Sequence, residues 1–474
     1  MLLKIFSNPL MRQYAVVILV NLSAVATGVA LAWPSPVLVK LGDENQTILP
    51  EPLTQNQGSW LVSIGLLTSM ATNLFAVQFL VDTLGRKYSL IMLALPKILA
   101  CFLFVFAKEV WVLMLGRALL GMGDVGTFTI LPMYSSEVAS KEIRGSLGTM
   151  LQIMCSAGVL IMLSMGPFVS YLTLNIVLVT MNVLTFLPLL ILPDSPYFLY
   201  SRGRKEETLK VLTFLRGTET IANEEIKEYE IAAQKNNGSI SKIDILRNPL
   251  FRKSVVLICL LSLGAQFSGF NAVSSYLQTI LESTQTSVRP EIASVIIGSI
   301  QMFASICTTL VTDRFGRKPL LISTIFGMAV GMLGLGLFFR LQDDGVTTGF
   351  MNYVPLISLI LVVFCYSAGP GSLLWVLNAE LLDDRSRGFG MSIGITWTSI
   401  FMFLITKYFA AVTSALGPSN MYWIFSGNCV LFALFILFCI PETKGKTFSE
   451  IQTMLGGKRN DEKDESAKNE DVKV

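Results

Sequence analysis

The 474-residue sequence contains no histidine and few charged residues. Lysine, arginine, aspartate and glutamate together make up 15% of the chain, whereas a typical globular domain has about 25%. Without histidine the chain cannot form a histidine-ligated metal site or use imidazole as a general base or proton carrier. These absences argue against an ordinary soluble domain and against histidine-dependent enzymes.

Cysteine chemistry and enzyme motifs are also missing. Seven cysteines are present, but none forms a CxxC pair and all lie in apolar runs, as small core residues do. The sequence has no paired-carboxylate or nucleophile motif, so we expect no enzyme, no metal and no cofactor. A net charge of +3 is too small to indicate binding to nucleic acid.

Long apolar runs are what the sequence has instead. Hydrophobic residues make up 52% of the chain, and many runs reach roughly 20 residues, the length of a helix that crosses a bilayer. We predict an all-α membrane protein with twelve transmembrane helices. The predicted spans are 14–38, 59–81, 88–107, 111–135, 147–168, 171–192, 254–281, 291–313, 319–339, 353–378, 389–412 and 420–440.

Basic residues near the span ends indicate the orientation. They concentrate in one set of connections, whereas the other set holds only Lys40, Lys108, Arg289 and Arg340. Because positive residues favour the cytosolic side, we expect a multi-pass protein of the plasma membrane with both termini in the cytosol. Asn45 begins an Asn-Gln-Thr sequon in the largest outer loop and is the expected glycosylation site.

One long polar connection divides the chain. The segments RKEETLKVLTFLRG and IANEEIKEYEIAAQKN within it predict short amphipathic surface helices. The expected domains are an N-terminal six-helix half at 1–192, a cytosolic helical linker at 193–253, a C-terminal six-helix half at 254–440 and a charged cytosolic tail at 441–474.

Charged motifs recur at matching places in the two halves. Asp-x-x-Gly-Arg-Lys occurs at 82–87 and at 313–318, and Glu-x6-Arg-Gly follows both span 4 and span 10. Charges that only set orientation would explain the basic residues but not carboxylates at a fixed spacing. Duplicated halves are typical of secondary transporters that work by alternating access.

These motifs predict an electrostatic latch at the cytosolic span ends. Glycine permits a tight turn, after which the arginine of each motif can reach a glutamate, and the aspartate can pair with a later arginine. Each surface pair contributes about 0–1 kcal/mol, but a cluster that separates on opening can bias a two-state equilibrium. The predicted latch residues are Asp82, Arg86, Glu137, Arg144, Asp313, Arg317, Glu380 and Arg387.

The sequence resembles the sugar porters of the major facilitator superfamily over roughly residues 14–455. Trp33-Pro-Ser-Pro36 and the segment around Asn271 look most like the insect facilitated trehalose transporters. The resemblance implies the major facilitator fold, with two pseudo-symmetric halves, and a neutral mono- or disaccharide as substrate. It rests on the two Gly-Arg-Lys loops, Gly116-Arg117, Pro132-Met-Tyr-Ser-Ser-Glu137, Gln266-Phe-Ser-Gly-Phe-Asn271, Ala379-Glu380-Leu381 and Pro441-Glu-Thr-Lys-Gly-Lys-Thr-Phe448.

Polar amides in the middle of apolar spans predict the sugar site. A sugar needs side chains that donate and accept hydrogen bonds, and an aromatic face. One such amide alone would favour helix–helix hydrogen bonding, worth about 0.6–2 kcal/mol, but four amides at positions that match the family favour a site. By resemblance Trp375 stacks on the sugar and Trp397 neighbours it. The candidate amides are Gln152, Gln266, Asn271 and Gln301.

The chain departs from the family at several of these positions. Ala265 replaces the first of a glutamine pair, Ser372-Leu-Leu-Trp375 replaces a Pro-x-Pro-Trp bend, and Thr396 replaces an asparagine. The loss of one amide removes about 1 kcal/mol of hydrogen bonding, enough to change the preferred sugar. The residues leave open which sugar is carried, and with what affinity.

Proton coupling is a separate question. Proton-coupled relatives have an aspartate in span 1 near the arginine of span 4, but span 1 here has no acid, and Arg117 lacks that partner. This favours a uniporter. Asp124 in span 4 argues for coupling, because an uncompensated acid at the bilayer centre costs roughly 2.5–3.5 kcal/mol. We predict that Asp124 pairs with Lys97 of span 3, with Arg117 on the same helix face. A proton site is the alternative, and Lys407 of span 11 has no acid that we can assign to it.

Three functions follow from these features. The first is a facilitative sugar carrier, and the second is a proton–sugar symporter driven by an inward proton gradient. The third is a non-transporting sugar sensor, which would need a larger effector segment than the short charged tail. Apart from its sugar and the lipid bilayer, we expect no nucleic acid and no obligate protein partner.

Overall fold

The computed structural model describes residues 8–140, 143, 147, 150–235, 242–285, 288–345, 349–382, 386–444, 446 and 448–454. Regular structure in these ranges is helical throughout. Eleven of the helices or joined helices there are long and apolar enough to cross a membrane, and Met150–Met165 is a shorter apolar helix. The prediction of an all-α membrane protein is confirmed.

The first half contains spans 1 to 6 in chain order. They are Pro9–Ala32 with Pro34–Gly42, Gln55–Thr72 with Asn73–Val77 and Gln78–Leu84, Arg86–Phe106, Val110–Val138, Met150–Met165 and Tyr171–Ile191. Four short helices follow, Pro196–Ser201, Lys205–Arg216, Glu219–Lys235 and Lys242–Arg247. The two predicted surface helices of the connection are thereby confirmed.

The second half contains spans 7 to 12. They are Pro249–Phe267 with Phe270–Ser275 and Leu277–Ser283, Pro290–Phe315, Arg317–Asp343, Val354–Ala368 with Pro370–Glu380, Arg387–Leu416 and Pro418–Cys439. A short 3₁₀ helix, Gly349–Tyr353, precedes span 10, and the helix Phe448–Met454 follows span 12. We call the end of the bundle where span 1 begins the terminal face, and the other end the opposite face.

Breaks within four of these spans expose backbone groups or redirect side chains. Span 1 breaks before Pro34 and span 10 before Pro370, because proline cannot donate the next helical hydrogen bond. Span 7 breaks at Gly269, whose φ is 85°, and span 2 contains a π-helical turn at Asn73–Val77. The predicted spans 254–281 and 353–378 are therefore not continuous helices, and span 10 breaks even without the family's Pro-x-Pro motif.

Glycine allows the helices of the first half to approach at backbone distance. A Cβ at Gly28 of span 1 would lie 2.0 Å from the Cys155 carbonyl oxygen of span 5. A Cβ at Gly121 of span 4 would lie 2.0 Å from the Gly65 carbonyl oxygen of span 2. Small residues at such crossings are typical of packing within a membrane. The two halves meet along spans 2 and 11 and along spans 5 and 8.

Candidate functional site

The break in span 7 brings two predicted sugar ligands together. Gln266 lies one residue before the end of the first helix, and Asn271 is the second residue of the next. Asn271 Nδ2 donates to Gln266 Oε1 at 2.6 Å. Gln266 is 3% exposed. Asn271 is half-buried. Each amide has a second polar atom, so the pair forms a unit that can still donate and accept.

Aromatic rings fix this break and close the space beside it. The Phe270 ring lies flat against Tyr366 of span 10, with the centroids 3.6 Å apart. Trp375, the predicted stacking residue, lies 6.4 Å from Phe128 of span 4, and the rings are nearly parallel. Phe128 and Trp375 belong to different halves, so this stack joins the halves. Trp397 is 40% exposed.

The other two amides lie on spans 5 and 8, where the halves pack together. Ser156 Oγ and Ser305 Oγ form a 2.8 Å hydrogen bond at this crossing. Gln152 lies one turn from Ser156 towards the terminal face, and Gln301 one turn from Ser305 towards the opposite face. Gln301 is 8% exposed and Gln152 is half-buried. Among the hydrogen bonds of the described residues, none joins these two glutamines to the Gln266–Asn271 pair.

Asn73 is a buried polar residue of this region that the sequence analysis did not identify. It begins the π-helical turn of span 2 and is 2% exposed. Its Nδ2 lies 3.4 Å from Thr396 Oγ1 and 3.4 Å from the Ser392 carbonyl oxygen, while Thr129 Oγ1 donates to its Oδ1 at 3.4 Å. These contacts are longer than ordinary hydrogen bonds of 2.7–3.2 Å. The sequence shows Asn73 as a polar residue in an apolar run. The direction of its side chain, however, depends on the π-helical turn that begins at this residue.

Lys97 and Asp124 lie in contact between spans 3 and 4. Lys97 Nζ is 2.9 Å from Asp124 Oδ1 and donates to Thr27 Oγ1 of span 1 at 2.7 Å. Thr27 Oγ1 in turn lies 3.1 Å from Thr127 Oγ1. Lys97 is 4% exposed and Asp124 is 9% exposed, so the pair neutralises two buried charges.

Arg117 binds backbone carbonyl groups, although it was predicted on the same helix face as Asp124. Its guanidinium donates to the carbonyl oxygens of Leu61 at 3.1 Å, Ala30 at 3.2 Å and Val62 at 3.4 Å. The Ala30 carbonyl lacks its usual helical donor, because that donor would be the missing N–H of Pro34. Arg117 therefore holds the break of span 1 against span 2. Asp124 contributes to it only as a nearby charge.

Lys407 crosses from the second half to the first near the opposite face. Its Nζ lies 2.9 Å from Asn56 Oδ1 and 2.8 Å from Ser59 Oγ of span 2. The ammonium also lies 4.3 Å from the centroid of the Trp60 ring. The sequence offered no acid as a partner for this lysine, and in the structure an amide, a hydroxyl and an aromatic face surround its ammonium.

The first copy of the charged motif forms contacts within one half. Gly85 has a φ of 87°, and Arg86 Nε and Nη2 donate to Glu137 Oε1 at 3.1 and 2.9 Å. Ser195 Oγ hydrogen-bonds the other oxygen of Glu137. Burial raises the pKa of Asp194 above its usual 3.8, although the N–H groups of Ser195 and Lys87 oppose this.

The second copy repeats this arrangement. Arg317 Nη2 lies 3.5 Å from Glu380 Oε1, and Gly316 has a φ of 90°. Glu442 takes the place of Asp194 and accepts from the N–H groups of Arg317, Lys318 and Lys444. Burial raises the pKa of Glu442, but hydrogen bonds from these N–H groups and from Thr443 outweigh it, so the pKa lies below its usual 4.5.

Two of the predicted latch pairs are present in the structure. The pairs Arg86–Glu137 and Arg317–Glu380 each join neighbouring spans of one half. In both halves the arginine follows the glycine turn directly and is the first residue of the next span. Arg202 donates to the backbone carbonyl of Asp82. Arg144 and the side chains of Asp313 and Arg387 lie outside the described residues.

The expected glycosylation site lies on the loop after span 1. Asn45 is exposed, and its backbone N–H donates to Asp43 Oδ1 at 2.9 Å. Hydrogen bonds from Asn45 and Gln46 lower the pKa of Asp43. The loop is thus locally ordered, and glycosylation of Asn45 stays a prediction.

Comparisons with known proteins agree with this architecture. The family of sugar (and other) transporters matches residues 22–455. The chain is 29% identical to facilitated trehalose transporter Tret1 of Polypedilum vanderplanki, over 95% of this chain and 90% of that protein. It is 30% identical to the human solute carrier family 2, facilitated glucose transporter member 6, over 90% of this chain and 88% of that protein.

Among solved structures, the inward-open xylose transporter XylE from E. coli has the same fold. The TM-score is 0.76, with 22% sequence identity over 93% of this chain and 99% of that chain. The similarity to this solved structure establishes the fold. The match to the transporter family covers nearly all of the chain. The chain therefore belongs to the sugar (and other) transporter family and has the major facilitator fold of two six-helix halves.

Proposed function

We propose that this sugar transporter is a facilitative uniporter of trehalose or of a hexose such as glucose, located in the plasma membrane. The terminal face would then be cytosolic. The trehalose and glucose transporters to which the chain is similar support this range of sugars. The domain boundaries at residues 192, 253 and 440 belong to the same proposal.

The hydrogen-bonded Gln266–Asn271 unit is the observation that carries the sugar assignment. It lies at a broken helix, where the two amides provide several donors and acceptors inside an apolar bundle. Gln152 and Gln301 would bind further hydroxyls from the spans 5 and 8, and Thr396 from span 11. Trp375 and Trp397 would provide the aromatic faces for the C–H side of the sugar ring.

Uniport is supported by how the buried charges are satisfied. Asp124 has Lys97 as its counter-ion at 2.9 Å, and Arg117 binds backbone carbonyls. Span 1 contributes no acid beside Arg117. A proton–sugar symporter is the second candidate, because Asp124 is a buried acid in the half that carries Arg117.

Alternating access would use the contacts between halves on both sides of the site. Towards the opposite face, Lys407 binds Asn56 and Ser59, and the N–H of Gln278 donates to Ser35. Towards the terminal face, Phe128 stacks on Trp375 and Asn73 reaches Thr396. Each set would separate while the other stays closed.

Uptake of radiolabelled trehalose and glucose into oocytes tests the proposal. We expect saturable uptake of one sugar that is equal at pH 5.5 and 7.5 and is lost in Gln266→Ala. Gln342→Ala, at the end of span 9, is the matched control and keeps uptake. Faster uptake at pH 5.5 would favour the symporter. No uptake of either sugar by protein verified at the surface would favour the sensor.

A further inference from the structure

The Lys97–Asp124 pair is built into the packing of spans 3 and 4. The stem of Lys97 passes Gly123, where a Cβ would lie 2.0 Å from Lys97 Cγ. Only glycine at this position leaves room for the stem to cross span 4 and place its ammonium beside the carboxylate. The close approach of Lys97 to the backbone of span 4 therefore fixes the position of the ammonium beside Asp124.

Lys97 is the counter-ion of Asp124. In the part of the chain that the structure describes, the other titratable groups in electrostatic range of Asp124 are Arg117 of the same span, Cys101 of span 3 and Cys155 of span 5. Arg117 is bound to three carbonyl oxygens. Span 1 adds the hydroxyl of Thr27, and span 6 adds Asn182 and Thr185 at the cavity beside the pair.

One oxygen of the Asp124 carboxylate has no hydrogen-bond donor within the described part of the chain. This oxygen is Oδ1, which lies 2.9 Å from Lys97 Nζ without an aligned hydrogen bond. A cavity of about 20 Å³ adjoins Lys97, lined by polar groups that include Thr127 and Asn182. This is room for about one water molecule beside the ammonium.

We propose that Lys97 is a tethered counter-ion that takes the place of a transported proton on Asp124. A buried carboxylate must be paired with a cation or neutralised by a proton. An ammonium fixed to span 3 never leaves with the sugar, so no ion accompanies the cycle. Lys97 thus acts through Asp124 as a positioning residue that sets ion coupling. This inference rests on the proposed uniport and explains how this chain achieves it.

Removal of the tether predicts a gain of proton dependence. In Lys97→Met, Asp124 would bind one proton from the side of higher proton concentration and release it on the other side. We expect Lys97→Met to take up sugar severalfold faster at pH 5.5 than at 7.5, and a protonophore to abolish the difference. The wild type, Lys97→Met/Asp124→Asn and the exposed-residue control Lys108→Met should show equal uptake at both pH values.

Two results would overturn the inference while uniport stands. One is uptake by Lys97→Met that is as indifferent to pH as the wild type. The other is a pH dependence that persists in Lys97→Met/Asp124→Asn. Acid-driven uptake by the wild type itself would instead reject the proposed uniport, and the tether with it.

Thermal unfolding in detergent covers the case in which Lys97→Met does not transport. A neutral carboxylic acid is cheaper to bury than a carboxylate. The unfolding midpoint of Lys97→Met should therefore rise as the pH falls, relative to Lys97→Met/Asp124→Asn. Equal pH profiles of the two variants would overturn the inference without any measurement of transport.

Discussion

Lys407 Nζ of span 11 lies 2.8 Å from Ser59 Oγ of span 2, across the boundary between the two halves. The same ammonium lies 2.9 Å from Asn56 Oδ1 and faces the Trp60 ring. Hydrogen bonds to a charged group contribute about 1.5–3 kcal/mol, and a cation over a ring about 0.5–2 kcal/mol. A single side chain of one half is therefore bound by three residues of the other half.

Lys407→Met should favour the conformation that is open at the opposite face. We expect Ser63→Cys, in a variant without the seven native cysteines, to react faster with an impermeant thiol reagent when Lys407 is replaced. Ser63 is fully buried in the closed arrangement. Lys108→Met is the control, since Lys108 is exposed. Equal labelling rates in all three backgrounds would show that Lys407 does not hold this side closed.

The Gln266–Asn271 contact predicts that the two amides act as one unit. Loss of either amide leaves the other without its 2.6 Å partner, so Gln266→Ala and Asn271→Ala should each reduce sugar uptake strongly. Gln266→Ala/Asn271→Ala should be hardly worse than either, a coupling of the order of 1 kcal/mol. The measurement is initial uptake at subsaturating sugar. Effects that simply multiply would mean that the amides bind the sugar independently.

Asn73 is expected to supply the amide that Thr396 lacks. Its long contacts of 3.4 Å leave it able to bind a sugar hydroxyl instead. Asn73→Ala should raise the KM for sugar several-fold, and Asn73→Ala/Thr396→Asn should restore it. The control is Asn420→Ala at the start of span 12, whose exposed amide donates to the Leu416 carbonyl at the end of span 11. An unchanged KM in Asn73→Ala would restrict Asn73 to helix packing.

Arg117 and Pro34 are expected to be energetically coupled. Arg117 serves three carbonyls, and lysine cannot reproduce this fork of donors. Arg117→Lys should lower the midpoint of thermal unfolding. In a Pro34→Ala background the Ala30 carbonyl regains a helical donor, so the same substitution should cost less, by about 0.5–3 kcal/mol. An equal loss in both backgrounds would contradict the role assigned to the Ala30 carbonyl.

Glu442 predicts acid sensitivity at the terminal face. Burial raises its pKa, but backbone N–H donors bring the pKa below the usual 4.5. Its stabilising contribution is therefore complete above about pH 4.5, and it is lost as the pH falls through the lowered value. Thermal unfolding between pH 3 and 6 should fall more steeply with acid for the wild type than for Glu442→Gln. Glu44→Gln, in an exposed loop, should follow the wild type; parallel curves for wild type and Glu442→Gln would contradict the prediction.

The helices and the Arg–Glu pairs of the two charged motifs could be predicted from the sequence, because both depend on short patterns of neighbouring residues. The sequence also identified Gln266 and Asn271 as candidate sugar ligands, because both are amides within an apolar run. The partners of Arg117 and Lys407 could not be read in this way. Arg117 binds one carbonyl freed by a proline on span 1 together with two carbonyls of span 2, and Lys407 binds uncharged groups from the other half. Asn73 depends on a π turn, which no simple periodicity signals.

The serine pair at the crossing of spans 5 and 8 has a consequence for how the halves move. Ser305 Oγ bonds Ser156 across the crossing and also the Gln301 carbonyl of its own helix at 2.9 Å. Because the single proton of Ser305 is donated within its own helix, Ser156 donates the neutral hydrogen bond that joins the two helices. Spans 2 and 11 meet through a charged lysine with three partners. Separation of spans 5 and 8 would therefore break a neutral hydrogen bond, whereas separation of spans 2 and 11 would leave a buried ammonium without its partners.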